Sequence, residues 1–407
     1  MPGMPYKIMS IVTRKLEGVK HFHYYLCRQL KGGGMEIKMK KAVIIGAGQN
    51  GRGFIAPLVE NNGYTITFLD KDPELIRQLQ EQKEYIIRYF GGRREPRIIR
   101  GFDAYIVEEP RALQSIVEAD VVFISVFASH VGELAELLKK AASEHTGNKL
   151  TIFCCENGVN VKQPLIDAEV DAVISEGVIF CTTLRPDKTK LDIFSQDYPE
   201  LPVDGQVEGL SVRLEGMPWE SDFPGLIQRK IYTYNFMSAV VAYLGSYKKY
   251  EVYGEAANDP EIAACMTALL PSVSRIIARR YQISYEKQLK FTQAAIDKFQ
   301  NRDIYDTVYR NARQVKRKLG REERIQTPLR LACEYGEDTA GIELVAAAAL
   351  YYGEQYEELD VSEVLKEIAE QSGQEKEGQR ILEKLETLRA GKKISEIMGN
   401  AQSLYKF

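Results

Sequence analysis

The stretch Lys41-Ala-Val-Ile-Ile-Gly46-Ala-Gly48-Gln-Asn-Gly51-Arg-Gly53-Phe54 limits what this chain can fold into more than any other part of it. An apolar, β-branched run breaks into Gly-x-Gly-x-x-Gly and continues with a helical pattern. A second strand pattern, Thr65–Leu69, follows and ends in Asp70. Strand, glycine turn, helix and strand in that order make a βαβ unit whose turn can hold a pyrophosphate. Gly46 permits the tight turn, Gly48 lets the backbone approach phosphate, and Gly51 lets the helix pack on its strand. The helix N-terminus then offers free N–H groups and partial positive charge.

Asp70 lies nineteen residues beyond Gly51, at the place where a carboxylate accepts hydrogen bonds from a ribose diol and repels a 2′-phosphate. The expected cofactor is therefore NAD rather than NADP, held by Gly46, Gly48, Gln49, Asn50, Gly51 and Asp70. Lys71, next in sequence, softens that preference.

After this unit, strand and helix patterns alternate. Helix Pro73–Gln82, strand Asp120–Val126, helix His130–Glu144 and strand Lys149–Cys155 predict a parallel sheet with right-handed crossovers, a Rossmann domain. Leu191–Phe194 and Leu210–Leu214 read as short strands of an antiparallel extension. Near Glu215-Gly-Met-Pro218 the texture changes. The rest is helical in pattern: Phe223–Leu244, Pro260–Arg280, Tyr285–Gln300, Asp303–Leu319, Pro328–Glu334, Gly341–Tyr351, Val361–Gln371 and Lys376–Leu388. Asn258-Asp259-Pro260 carries the cap and first-turn proline of a helix start. The expected organisation is residues 1–38 as a leader or arm, 39–216 as the NAD-binding α/β domain and 217–407 as an all-helical substrate domain.

Composition narrows the function classes. With 407 residues, 44% of them hydrophobic, the chain can build sizeable cores. A net charge of −3 supplies no field that would draw it to nucleic acid or an anionic membrane. No apolar run reads as a membrane span. The six cysteines (Cys27, Cys154, Cys155, Cys181, Cys265, Cys333) have no metal spacing, and His21 and His23 have no further ligand nearby, so no metal is expected. Reduced core thiols suit a reducing cytoplasm. The basic segment before Lys31-Gly-Gly-Gly34-Met35 lacks a signal-peptide core. Its end can be encoded by a purine-rich ribosome-binding sequence, so Met35 or Met39 is the expected start.

A nicotinamide enzyme acting on an alcohol needs a base for the hydroxyl proton and donors for the oxygen that gains charge. In open α/β sheets the site lies at the carboxyl ends of the strands. Asn157, just past Cys154-Cys155, stands there. Lys230, Asn235 and Ser238, spaced i, i+5, i+8, fall on one broad face of an ideal helix, near ~0°, 140° and 80°. Spacing alone fits a surface lysine and a capping asparagine more readily than a catalytic set. Arg310, Arg313 and Arg317 share one face of the expected helix. That face is either a solvated surface or, with Lys318 and Arg324, a grip for phosphate. His130 reads first as part of a surface helix, and otherwise as a group beside the nicotinamide.

Several stretches together resemble the long-chain polyol (mannitol) dehydrogenase family, in the family's order and over nearly all of the chain after Met39. They are Gly46–Ile55, Cys155-Glu-Asn157-Gly-Val, Arg229-Lys230-Ile-Tyr-Thr-Tyr-Asn235, Ala242-Tyr-Leu-Gly245, Lys298-Phe-Gln-Asn301, Arg317-Lys318-Leu319 and Glu334-Tyr335-Gly336. The length from Met35 suits the family's hexitol-phosphate members. The resemblance implies interconversion of a polyol or polyol phosphate with its ketose, without a metal. Lys230 would be the general base, with Asn235 and Asn157 as oxygen donors. The family signature Lys-x4-Asn-x2-His is broken here, because Ser238 stands where histidine is expected. Arg302 and Val315 stand where the family has prolines. A sugar-acid reductase, or a dinucleotide-binding protein of weak activity, is the alternative. The partner is a small molecule (a polyol, a polyol phosphate or a sugar acid), and the chain is a monomer or a homodimer.

Overall fold

The computed structural model describes residues 39–398 apart from 188, 199, 373 and 374. The expected leader, His21, His23 and Cys27 lie outside the described residues. The first apolar run is strand β1 (Lys40–Ile45), with Ala42 to Ile45 at most 1% exposed. It is followed by β2 (Tyr64–Asp70), β3 (Glu84–Tyr89), β4 (Arg97–Arg100), β5 (Asp103–Ile106), β6 (Val121–Ile124), β7 (Thr151–Cys155) and β8 (Val173–Gly177). Four two- or three-residue strands complete the set: β9 (Thr183–Leu184), β10 (Ile193–Ser195), β11 (Val203–Asp204) and β12 (Trp219–Glu220).

The main sheet has the order β12-β11-β8-β7-β6-β1-β2-β5. From β8 to β5 every pairing is parallel, and β11 joins β8 antiparallel. Parallel strands covered on both faces read as continuous apolar runs rather than alternating ones. Here Ile44, Phe68, Phe123 and Phe153 face one core, while Val43, Ile45, Val122 and Ile124 face the other.

The antiparallel extension exists, but other residues make it. Leu210–Leu214 forms no strand. Leu214 and Met217 pack as loop residues, and Val203–Asp204 and Trp219–Glu220 take the edge. The strand expected at Leu191–Phe194 forms at Ile193–Ser195, in a separate sheet of order β4-β3-β10-β9. The β3–β4 hairpin in that sheet, with Glu84, Arg88, Arg97 and Arg100 as its charged residues, was not anticipated.

Beyond Asp222 the chain is helical. Asp222 and Asp259 cap the helices Phe223–Lys230 and Pro260–Arg280 by accepting first-turn N–H groups, and both helices have proline in the first turn. Pro260–Arg280 is long and apolar enough to cross a bilayer by length and composition alone, contrary to the expectation that no run reads as a span. Its apolar face (Ile262, Met266, Leu269, Val273, Ile277) lies in the core of the helical half. A smaller cluster of Val178, Phe180, Phe223, Leu226 and Ile227 joins the end of β8 to helix Phe223–Lys230. That junction fixes where the site forms.

Two helices differ from expectation. His130–Glu144 begins as two short 3₁₀ turns, and its α-helix runs only from Ala135 to Glu144. Asp303–Leu319 is two short helices, Val308–Ala312 and Val315–Lys318. The break has a local cause. Gln314 adopts φ 65°, and the Glu357 carboxylate accepts the N–H groups of Gln314 and Val315 at 2.6 and 2.8 Å. A carboxylate from the residue that ends the helix Ala340–Tyr356 thus replaces the intrahelical acceptors.

Candidate functional site

The glycine loop lies between β1 and helix Ala56–Asn61. Gly46 has φ 98°, and a Cβ there would sit 2.4 Å from the Ser125 carbonyl oxygen. A Cβ on Gly51 would sit 2.1 Å from the carbonyl oxygen of Gly46. Neither position admits a side chain. Gly48 differs, because a Cβ there would meet nothing within 4 Å. The space over Gly48 is the kind of cradle a close-approaching ligand requires.

Asp70 braces this loop from the end of β2. Its carboxylate accepts from Ala47 N at 2.7 Å and from Asp72 N at 3.0 Å. Asn50 Oδ1 accepts from Thr183 Oγ1 at 2.6 Å, and Gln49 is exposed at the loop tip. Lys71 lies 3.7 Å from Glu133. Arg52 is fully buried behind the loop, donating to the carbonyls of Ala47 and Leu191. The loop is thus a rigid backbone cradle that fits a dinucleotide pyrophosphate.

The second feature is a pocket of about 170 Å³ at the carboxyl ends of β7 and β8. Five segments build it, one of them Tyr253 at the start of the short helix Tyr253–Ala257. Asn157 comes from the loop after β7, and Ile179–Thr182 from the chain leaving β8. Lys230, Tyr234, Asn235 and Ser238 come from the long helix, and Lys298 through Asn311 from the segment that closes the far side. The four residues expected to do chemistry therefore share one cavity.

Lys230 is 7% exposed. Its ammonium nitrogen donates to Asn157 Oδ1 and, at 2.5 Å, to the Ile179 carbonyl, and it lies 4.9 Å from the Phe180 ring centroid. Burial pushes its pKa well below the ordinary 10.5. Neighbouring Lys298 pushes the same way, and Glu156 opposes. Glu156 is itself raised by burial, against the pull of Lys230. Asn157 accepts from Lys230, which leaves its NH₂ for the pocket, and Asn235 lines the same wall.

The helix that carries these residues is not a plain α-helix. Between Ile231 and Asn235 it widens into a π turn before resuming at Phe236–Tyr247. In a π turn the backbone bonds span i→i+5, so Lys230 and Asn235 come closer to alignment than the ~140° of an ideal α-helix. Around this turn, buried Gln288 accepts from Arg229 Nε at 3.0 Å and donates to Thr233 Oγ1 at 2.9 Å.

Three residues that sequence reasoning did not single out complete the wall. Lys298 Nζ donates to the Phe180 carbonyl at 2.5 Å, so two lysines hang on successive carbonyls of one extended segment. Burial lowers its pKa to about 8, with Cys181 and Asp306 opposing. Asp306 pairs with Arg310 through both carboxylate oxygens, Nε to Oδ1 at 2.7 Å. Tyr253 donates to Ser238 Oγ at 2.9 Å. Lys298 stands in a stretch that carried the family resemblance, which was the available signal. For Tyr253 and Asp306 no sequence signal pointed to the pocket.

Other expectations are corrected. Arg310 lines the pocket, but Arg313 and Arg317 do not, because the broken helix sends them elsewhere. Arg313 is exposed, with its guanidinium 6.0 Å from the Tyr309 ring, and Arg317 pairs with Glu323 at 2.8 Å. His130 lies at the surface, as its first reading had it, with Nδ1 2.6 Å from Glu133 in the same turn, and only its alternative place beside the pocket falls away.

A Rossmann sheet with a phosphate-sized glycine loop, joined to a helical half that places a buried lysine at the strand ends, is the architecture of two-part dinucleotide-dependent oxidoreductases. The family model described as the mannitol dehydrogenase Rossmann domain matches residues 40–184, and the one described as the mannitol dehydrogenase C-terminal domain matches residues 224–403. The chain belongs to the mannitol dehydrogenase family. It is 27% identical to mannitol-1-phosphate 5-dehydrogenase of Caldanaerobacter subterraneus subsp. tengcongensis, over 82% of this chain and 92% of that protein. It is 29% identical to the enzyme of the same name from Oceanobacillus iheyensis, over 81% and 91%. Its fold matches that of Pseudomonas fluorescens mannitol 2-dehydrogenase, solved with NAD and D-mannitol. The TM-score is 0.71 at 14% identity, covering 92% of this chain and 96% of that one.

Proposed function

We propose that the chain is an NAD-dependent dehydrogenase that interconverts a polyol, or a polyol phosphate of the mannitol 1-phosphate kind, with the corresponding ketose. The observation that carries this reading is Lys230, an amine buried at the strand ends. It is held on Asn157 Oδ1 and the Ile179 carbonyl, with its pKa depressed, in the pocket that also presents Asn235. Burial lowers the Lys230 pKa, and in its neutral form the amine takes the hydroxyl proton of the substrate carbinol. Asn235 and the free NH₂ of Asn157 donate to the same oxygen as charge develops on it. The glycine loop and Asp70 would hold NAD, which would supply the acceptor for the hydride leaving the carbinol carbon. In the reverse direction Lys230 returns the proton to the nascent alkoxide.

Lys298 and Arg310 give the far wall cationic groups that suit a phosphate or carboxylate on the substrate. Arg310 is already paired with Asp306, so Lys298 is the better placed of the two. The names of the curated relatives favour phosphate, and a sugar acid is the competing anion. The five described cysteines are free thiols, four of them buried, which accords with a reducing cytoplasm.

The test is NADH formation across a panel of hexitols, hexitol phosphates and aldonates. Highest kcat/KM with a hexitol phosphate is expected. NAD binding without turnover on any member would leave a dinucleotide-binding module in place of an enzyme.

A further inference from the structure

Two turns along the helix from Lys230, the pocket wall contains a pair of bonded hydroxyls. Tyr253 opens the short helix Tyr253–Ala257 and is 5% exposed. Its backbone N–H donates to the Asp306 carbonyl at 2.9 Å, and its ring meets Phe299 edge-on at 5.7 Å. The side chain is therefore fixed from both ends. Its hydroxyl donates to Ser238 Oγ at 2.9 Å, with the Ser238 carbonyl oxygen at 3.3 Å. Burial raises the phenol pKa, so the group keeps its proton and remains a donor across the working pH range.

Ser238 is the accepting partner, and its own hydrogen remains to be given. A serine inside a helix usually turns its hydroxyl back to the carbonyl one turn earlier. Here the bond to Ser238 Oγ comes from Tyr253; with the Tyr253 hydrogen so committed, the Ser238 hydrogen is left to point into the pocket. Both residues line the pocket, as does Asn235 three positions before Ser238. A serine hydroxyl can donate once while it accepts from a neighbour. The remaining hydrogen is available to an oxygen that enters the pocket.

We propose that Ser238, oriented by Tyr253, donates a hydrogen bond to a second substrate hydroxyl, distinct from the one deprotonated by Lys230, and so selects among polyols. This rests on the polyol reading above and adds a specificity contact to it. Ser238 touches substrate, and Tyr253 is a positioning residue acting through it. No proton transfer is assigned to either, so the pH profile set by Lys230 should be unaffected by both.

The experiment compares the best substrate of the panel with its monodeoxy analogues, in the wild type, Ser238→Ala, Tyr253→Phe and the double variant. The wild type is expected to reject one analogue by at least about tenfold in kcat/KM. Ser238→Ala is expected to lose that discrimination, through a raised KM for the parent. Tyr253→Phe keeps the ring contact with Phe299 and is expected to lose most of the discrimination with an unchanged kcat–pH profile. The double variant should be no worse than Ser238→Ala within about twofold, as for residues acting as a unit. Discrimination retained in Ser238→Ala, or losses that multiply in the double variant, would overturn the pairing while leaving the polyol reading intact. No turnover of any panel member by the wild type would overturn both.

Discussion

The glycine loop and the pocket make opposite use of the chain. The loop is built from backbone and from neighbours in sequence: Gly46 to Gly51 form the cradle, and Asp70, one helix and one strand later, ties it down through the Ala47 N–H. The pocket is built from side chains that arrive from Asn157, from Ile179–Thr182, from the π-turned helix and from Lys298 through Asn311. The loop offers shape and free N–H groups. The pocket instead holds amines in a small space where burial lowers their pKa values. The functions are separable in the same way, and single substitutions should remove one while leaving the other.

The largest effect should come from Lys230→Ala. Removal of a general base typically costs 10²–10⁴-fold in rate, so kcat should fall by about that much. NAD affinity, measured by fluorescence titration, should stay within about twofold because the loop is untouched. A variant that turns over at the wild-type rate would rule out the base assignment.

The loop offers the converse experiment in two grades. Gly51→Ala places a methyl 2.1 Å from the backbone oxygen of Gly46, so the turn must open, and NAD affinity and melting temperature should both fall. Gly48→Ala meets no protein atom within 4 Å. It should leave the melting temperature unchanged yet weaken NAD at least about tenfold, a loss of about 1.4 kcal/mol. Unchanged NAD affinity in Gly48→Ala would mean that the open space there is not the pyrophosphate cradle.

Lys298→Met tests the coupling inside the pocket. Loss of a neighbouring positive charge raises the Lys230 pKa toward its ordinary value. The acid limb of kcat/KM for polyol oxidation should therefore move to higher pH, by up to about one unit. An unmoved limb would mean that the two lysines titrate independently.

The same variant has a stability signature. The Lys298 pKa is lowered from 10.5 to about 8, so below pH 8 the folded protein holds an ammonium it disfavours. Between pH 8 and 10.5 the unfolded chain binds more protons than the native one, so wild-type stability rises with pH across that window. Lys298→Met should then be more stable than the wild type at pH 7 by ~1–3 kcal/mol, once the lost bond to the Phe180 carbonyl is counted. The advantage should vanish near pH 10.5, as followed by urea unfolding. A constant difference across pH would exclude this linkage.

How far each region could be read from the sequence follows from the same contrast. The loop was legible because each glycine has a local steric reason, and the order strand, turn, helix, strand is fixed along the chain. Two helices with a capping aspartate and a first-turn proline, Pro73–Gln82 and Pro260–Arg280, were placed to the residue. Strands of two or three residues were not. Val203–Asp204 and Trp219–Glu220 are defined by their partners more than by their own pattern. The arginine face failed because Glu357, the residue that ends the helix Ala340–Tyr356, caps Gln314 and Val315 and ends the helix on which Arg310, Arg313 and Arg317 would have lined up.

By itself, then, the sequence determined the α/β-then-helical order of the chain, the dinucleotide loop with its Asp70, and the candidate roles of Lys230, Asn157 and Asn235. These rest on local sterics, hydrophobic period and motif order. Only the tertiary structure decided that Lys230 is buried on the Ile179 carbonyl, that Lys298 sits one carbonyl away, that Arg310 alone of its trio faces the pocket, and that Tyr253 fixes Ser238. Each of these depends on desolvation or on partners remote in sequence, and neither is encoded in a local pattern.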